Sequence, residues 1–422
     1  MSPTVTLAIF HAFAPPPTGG GHQFMRALCR ELERRGIQLA FNRLREGTRA
    51  VLFNSYNFSL PALRRALAQY PHVRRVHRVD GPLLLYRGRD DGTDRRIHAI
   101  NREIAEISIF QSRFSLEAHQ RLGLTPVSPV IIPNAADPAL FFPDPQQIPP
   151  TPDRPLRIIA VSWSDNPNKG ADVFAWLDEH LDTRRFAFTF VGRSAYPFRR
   201  LRMHPPVASE ALAALLRQHD LYLAASRNDP CSNALIEAIS CGLPAVYRDS
   251  GGHPEIAASC GLPFQRPEEL PQRFEEAAAR WAELRAAIRP PSIRAIADRY
   301  LEILEGPSST SAARSSRSTA ALRAHLREGV RALARRRWPV TSRLILVEDR
   351  PGWVISEEMR ALRFVARQLG VSCLHRFWLP WAEEQAVFYG SQFFLLADDW
   401  LHRPQRVAVA YFHGKPGTGF EA

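Results

Sequence analysis

Short apolar runs alternate with amphipathic stretches through the first three hundred residues. VTLAIFHAF reads as a strand, APPPTGGGH as a loop, QFMRALCRELERRG as a helix and IQLAF as a strand. Phe24, Leu28 and Leu32 recur at helical spacing, and Gly36 closes that helix. AVLFNSYNF, VRRVHRVDG, ISIFQS and PVIIPNAAD continue as short strands, each meeting polar or glycine-rich residues at its C-terminal end. An open parallel sheet with ligand loops along one edge has this pattern. The six prolines of FFPDPQQIPPTPDRP then interrupt it, since proline removes a donor and fixes φ. Alternation resumes with LRIIAVSWS, ADVFAWLDEHL, FAFTFVGR, SEALAALLRQH, LYLAAS, CSNALIEAIS and PAVYRD, and a helix, SIRAIADRYLEIL, closes the second unit near Glu305. Two doubly wound, Rossmann-like α/β domains are expected, over 1–145 and 146–305.

GPSSTSAARSSRST follows, with no core-forming residues, so 306–342 reads as a basic Ser/Arg-rich linker. Beyond it, RLILVEDRPGW, SEEMRALRFVARQLG, VSCLHRFWL, AVFYGSQFFLL and RVAVAYFHGKPG reproduce the order of elements of the first eighty residues. AVFYGSQFFLL matches AVLFNSYNFSL. The tail, 343–422, is expected to be a partial Rossmann-like repeat; the alternative is a small appended α/β domain of coincidental likeness.

Composition is that of a globular protein, with 45% hydrophobic and 23% charged residues over 422 positions. The five cysteines stand apart without a CxxC pair, so neither a disulfide framework nor a zinc knuckle is indicated, and a reducing compartment fits. No run of eighteen apolar residues appears, and the start lacks a secretory leader, so a cytoplasmic chain is expected. The net charge of +13 suggests polyanions until its location is considered. Nine arginines and one acid fall between Gly306 and Arg343, and the rest of the chain is nearly balanced. No aromatic-interleaved basic sheet or recognition helix accompanies them, so nucleic acid is not an expected partner. Leu322, Leu326, Val330 and Leu333 make an apolar stripe among these arginines. The segment 320–338 is either a solvated linker helix or a peripheral contact with the inner face of an anionic membrane.

Chemistry concentrates in two places. Gly19, Gly20 and Gly21 separate the first strand from the first helix, where absent side chains let N–H groups approach an anion; the bland reading is a tight turn. Neither GxGxxG nor GxxxxGK(S/T) is present, which disfavours a dinucleotide or P-loop site. The richer segment is SRNDPCSNALIEAISCGLPAVYRDSGGHPEI. Asp229 stands before a helix and Glu237 inside it, with Ser232 and Asn233 placed to cap it. A helix start offers the N–H groups of Ser232, Asn233, Ala234 and Leu235 to a diphosphate, and acids on either side can hold sugar and ribose hydroxyls. No DxD pair for a divalent metal stands out, and no cofactor is expected.

These residues resemble the retaining, GT-B-fold glycosyltransferases of family 4 (group 1), over residues 5 to 305. Asp229 and Glu237 occupy the two positions of that family's E-x7-E element, followed by GLP at 242–244 and GG-x-PE-I at 251–256. IPNAAD, with Asn134 and Asp137, is similar to the family's IPNGVD. The resemblance implies that Glu237 binds the nucleotide ribose, Asp229 faces the donor sugar, Lys169 of NKG contacts the donor phosphates, Gly19 to Gly21 lie near the transferred sugar, and His77 stands beside it. For His77 the alternative is a hydrogen-bonded core histidine, and for Asp80, three residues on, a turn.

Three departures mark the chain. Asp229 replaces glutamate and shortens the reach by roughly one C–C bond, about 1.5 Å. VSWSDNPNKG lacks the arginine usual before the lysine, which makes Arg193 of FVGR either the second phosphate cation or a solvated loop residue. Ala135 replaces the glycine of the NG pair. The resemblance implies a retaining, metal-independent transferase moving sugar from a nucleotide-diphosphate sugar to a glycan or lipid-linked acceptor, in bacterial surface polysaccharide assembly. The rivals are a nucleotide-sugar epimerase on the same fold and a catalytically silent sugar-nucleotide binding protein.

Overall fold

A computed structural model describes residues 6–14, 20–194 and 196–306, together with four short strands at 344–347, 373–376, 386–389 and 408–410. Gly19, the 320–338 stripe and all of the 306–342 linker except Gly306 lie outside the described residues. The chain divides into two compact units, 1–310 and 311–422.

The first lobe of the larger unit runs β1 (Thr6–Phe10), α1 (Gly20–Arg34), β2 (Gln38–Phe41), β3 (Thr48–Asn54), α2 (Leu60–Gln69), β4 (Arg74–Arg78), α3 (Leu83–Arg87), α4 (Thr93–Ile104), β5 (Ile107–Phe110), α5 (Arg113–Arg121) and β6 (Pro129–Ile131). Its strands form one parallel sheet in the order β2-β1-β3-β4-β5-β6. All five residues of β1 are buried, as a strand covered on both faces requires. Leu7 and Ile9 face Phe24, Leu28 and Leu32 of α1, whereas Ala8 and Phe10 face Leu63 of α2 and Ile100 and Ile104 of α4. The strand period of two sorts the apolar run into two cores.

The second lobe runs β7 (Leu156–Ser162), α6 (Ala171–His180), β8 (Phe186–Gly192), β9 (Arg202–His204), α7 (Ser209–Arg217), β10 (Leu221–Ala224), α8 (Asn233–Ser240), β11 (Ala245–Arg248), α9 (His253–Ala257), β12 (Gly261–Phe264), α10 (Leu270–Ala279) and α11 (Trp281–Ala286). Its parallel order is β12-β11-β10-β7-β8-β9. The winding direction reverses between β7 and β10, and loops diverging at such a reversal leave a crevice at the carboxyl ends of the strands.

One expectation about domain limits needs correction. The helix expected to close the second lobe, α12 (Ile293–Glu305), packs on the first. Ile293, Ile296, Ala297, Tyr300 and Leu304 share one helical stripe and join Leu7, Ile9 and Phe24, with the Tyr300 and Phe24 rings 6.2 Å apart. The chain therefore crosses the cleft twice.

In the smaller unit, β13 (Leu344–Val347), β14 (Cys373–Arg376), β15 (Ala386–Tyr389) and β16 (Ala408–Ala410) form a parallel sheet in the order β14-β13-β15-β16. In chain order this is second, first, third, fourth, as for β2-β1-β3-β4.

Candidate active site in the cleft

A cavity of about 300 Å³ opens at the β7–β10 reversal. The second lobe supplies Ser162 at the end of β7, Trp163, Ser164 and Lys169 between β7 and α6, Ser226 and Asp229 after β10, and Ser232, Asn233 and Ala234 at the start of α8. Facing them from the first lobe are Gly20, Gly21 and His22 of α1, Arg78 and Asp80 at the end of β4, Tyr86 of α3, Gln111 and Asn134. Both sheets present their carboxyl ends to it.

Lys169 Nζ lies 2.8 Å from Asp229 Oδ2 and 4.5 Å from the centre of the Tyr86 ring. Burial works against both charges, and their mutual attraction outweighs it, holding Asp229 below and Lys169 above the ordinary values. Ser226 Oγ at 3.3 Å and the Cys231 N–H at 3.2 Å also donate to the Asp229 carboxylate. With so many partners, the shorter acid is held close to the cation.

The helix start is capped as its sequence suggests, but Leu235 does not offer the N–H group expected of it. Ser232 caps α8, its Oγ accepting from the Leu235 N–H at 3.4 Å, and its carbonyl accepts from Ile236. Leu235 is thereby satisfied and its side chain is fully buried, so of the four expected N–H groups those of Ser232, Asn233 and Ala234 are left for an anion. Glu237, one turn further, is 7% exposed and opens onto a smaller hollow shared with Asn233, Phe24 and Arg30. Burial pushes its carboxyl up to about 8.

Two expected residues lie elsewhere. His77 is fully buried, stacked on Phe53 at 4.4 Å, with Nε2 2.9 Å from the Ser55 carbonyl and Nδ1 3.1 Å from Asn101 Nδ2. It is a core histidine, and burial lowers it to about 4. The end of the same strand reaches the cavity through Arg78 and Asp80. Arg193 is exposed and absent from the cavity wall; its own N–H goes to the Ser162 carbonyl.

Arg78, Asp80 and His22 were not marked as site residues by the sequence. Arg78 is 1% exposed, and its guanidinium donates to Asp80 Oδ1 (2.5 Å), Asn54 Oδ1 (2.7 Å) and Asn134 Oδ1 (2.9 Å). Asn134 in turn donates to Asn233 Oδ1 at 3.0 Å, joining the lobes. Two further contacts do the same: Asn166 Nδ2 donates to the Tyr86 carbonyl at 2.9 Å, and Glu255 accepts from the Arg113 and Phe114 N–H groups at the start of α5, both at 2.8 Å. Among the described residues there is no cluster of three or more His, Cys, Asp or Glu fit for a metal ion, and no helix long and apolar enough to cross a membrane.

Residues 156–283 match the family model described as Glycosyl transferases group 1. None of the curated proteins matches the chain. Among solved structures, sucrose-phosphate synthase from Thermosynechococcus elongatus is similar at a TM-score of 0.54 and 16% identity, over 76% of this chain and 100% of that one. Anabaena HepE, in complex with UDP and glucose, gives 0.55 and 16% over 72% and 100%. The catalytic domain of starch synthase IV from Arabidopsis thaliana, bound to ADP and acarbose, gives 0.51 and 13% over 72% and 99%. The fold is GT-B, and residues 156–283 of its second lobe match the group 1 glycosyl transferase model.

Proposed function

We propose that the chain is a glycosyltransferase that moves a sugar from a nucleoside-diphosphate sugar to a glycan or lipid-linked acceptor with retention of configuration, in surface polysaccharide assembly. One observation carries the reading. Lys169, Asp229 and the open N-terminus of α8 converge in one cavity at the β7–β10 reversal, opposite the polar wall of the first lobe.

Breaking the anomeric C–O bond puts negative charge on the diphosphate and positive character on the sugar. The Ser232, Asn233 and Ala234 N–H groups and the Lys169 ammonium meet the first where it develops. Asp229, relieved of part of its hold on Lys169 when the phosphates arrive, accepts from a donor-sugar hydroxyl. Glu237 takes the ribose hydroxyls. The acceptor oxygen attacks from the face the diphosphate leaves; its bond to the anomeric carbon forms as the old bond breaks, and its proton passes to the departing phosphate oxygen. Neither His77 nor Arg193 enters this scheme. The complexes of HepE with UDP and glucose and of starch synthase IV with ADP are in keeping with a nucleoside diphosphate in such a cleft.

A thermal-shift screen of nucleoside-diphosphate sugars tests the reading, with Glu237→Ala as control. One donor is expected to raise the midpoint of the natural protein and to lose that effect in the variant. An unchanged midpoint with every donor counts against the site. Transfer of labelled sugar to an acceptor pool, as opposed to interconversion of the donor, separates a transferase from an epimerase; binding with neither outcome identifies a silent binder. We also propose that 343–422 is a partial second copy of the first lobe, on the support of its 2-1-3-4 strand order.

A further inference from the structure

A hydrogen-bond chain of fixed direction enters the cleft from the first lobe. It begins at Arg78, whose guanidinium has donors only, so the atom of Asn54 that meets Nη1 at 2.7 Å is the amide oxygen. The Asn54 Nδ2 group therefore faces His11 Nδ1 at 3.2 Å and donates to it. A neutral imidazole that accepts at Nδ1 carries its hydrogen on Nε2. His11 Nε2 lies 2.9 Å from His22 Nδ1, so it donates there, and the hydrogen of His22 stands on Nε2. Among the described residues, no protein group is hydrogen-bonded to that nitrogen, and His22 lines the cavity.

The parts are held in place. Asn42, at φ 53°, grips the His11 backbone from both sides: its Oδ1 accepts from the His11 N–H and its Nδ2 donates to the His11 carbonyl, each at 3.0 Å. Phe13 meets the His11 ring edge-on at 4.6 Å. Both rings favour the neutral form. Burial first, then His22 and Arg78, lower His11 to about 4; burial and Arg26 lower His22, against a smaller opposing effect of Asp80. Asp80, on the same cavity wall, presents a carboxylate fixed by Arg78. A fixed donor and a fixed acceptor on one wall suit a hydroxyl group, which needs one of each.

We propose that His22 is a specificity-determining hydrogen-bond donor that binds a hydroxyl of the transferred sugar together with Asp80, and that Asn54 and His11 are positioning residues that set its tautomer. The sugar as ligand rests on the transferase reading; the tautomer relay does not.

Two measurements test it. Long-range nitrogen–proton spectra of the full-length, imidazole-labelled protein are expected to show His22 protonated at Nε2 and bare at Nδ1. Asn54→Asp replaces the donating amide by an oxygen that only accepts, so a neutral His11 must carry its hydrogen on Nδ1, and at a pH where the spectra show His11 neutral the His22 tautomer is expected to reverse. A His22 ring protonated at Nδ1 in the natural protein overturns the relay, as does an unchanged tautomer in Asn54→Asp. Calorimetry with UDP-glucose, ADP-glucose and GDP-mannose, each beside its free nucleoside diphosphate, reads the second part. His22→Phe is expected to weaken the bound nucleotide sugar about fivefold and its nucleoside diphosphate not at all, with partial recovery in His22→Gln. Equal losses for both ligands, or none, overturn the role in sugar recognition. A natural protein that binds neither the sugars nor the nucleotides overturns the transferase reading and the sugar as ligand, while the spectra still decide the relay.

Discussion

Glu237 is an acid whose folded environment holds on to its proton. Burial raises its carboxyl from an ordinary 4.5 to about 8, so between those values the unfolded chain has released a proton that the folded chain retains. Stability is undiminished by this group below about pH 4.5, falls as the pH rises, and levels off above about 8; the loss is on the order of 5 kcal/mol. Glu237→Gln removes the titration, and urea unfolding at pH 5 and pH 9 is expected to show a much smaller difference for the variant than for the natural protein. Ribose hydroxyls donating to the ionised carboxylate lower the same value, so donor binding near neutral pH is expected to release a proton, seen as a buffer-dependent binding enthalpy. At this scale the sequence was legible where the candidate site draws on an ordered string: Asp229, Ser232 and Glu237 sit on one strand–helix junction, and Lys169 faces Asp229. It was not legible where a side chain's direction decides. His77 and Asp80 are three residues apart at the end of one strand, and only its placement in the sheet sends the first into the core against Phe53 and the second to the cavity. His11 and His22 come together through the fold-back between β1 and α1, which no spacing rule announces.

The starts of α1 and α8 meet across the cleft, and that contact makes the two glycines at the head of α1 unequal. A Cβ on Gly20 would stand 2.2 Å from Asn233 Cβ, whereas one on Gly21 meets nothing within 4 Å. Asn233 is fixed at the head of α8 and by Asn134, so it has little room to yield. Gly20→Ala is expected to wedge the two helix starts apart, weaken donor binding and expand the particle in small-angle scattering. Gly21→Ala is expected to leave the scattering profile unchanged. Equal profiles for the two variants would show that the helix starts do not set the cleft. The alternation of strands and helices, and hence both doubly wound sheets, was readable because each element keeps its own period. The attachment of α12 was not: its stripe announces a buried face without naming the lobe that covers it.

Among the interactions that tie the lobes, the Glu255 contact and the α12 crossing differ in kind. Glu255, from the second lobe, takes the place of an intrahelical partner for the first N–H groups of α5 in the first, a polar contact across the cleft. Glu255→Ala is expected to speed hydrogen exchange at the Arg113 and Phe114 amides while leaving the core strands protected. The α12 crossing is apolar and permanent by comparison. Ile293, Ile296, Tyr300 and Leu304 are each at most 4% exposed, and at about 1.5–3 kcal/mol for each large apolar side chain their burial is comparable with the whole stability of a typical domain. A chain ended at 306 retains this helix, together with the Arg74 contact to the Gly306 carbonyl, and is expected to unfold at the midpoint of the full chain and to bind donor as well. A chain ended at 292 keeps every strand of both lobes, yet it uncovers Leu7, Ile9 and Phe24. It is expected to lose the first lobe's cooperative transition while the second lobe still melts as a unit. Calorimetry of the two truncations resolves the transitions, and a normal first-lobe transition in the shorter chain would mean that the crossing helix is an ornament on that lobe rather than part of its core.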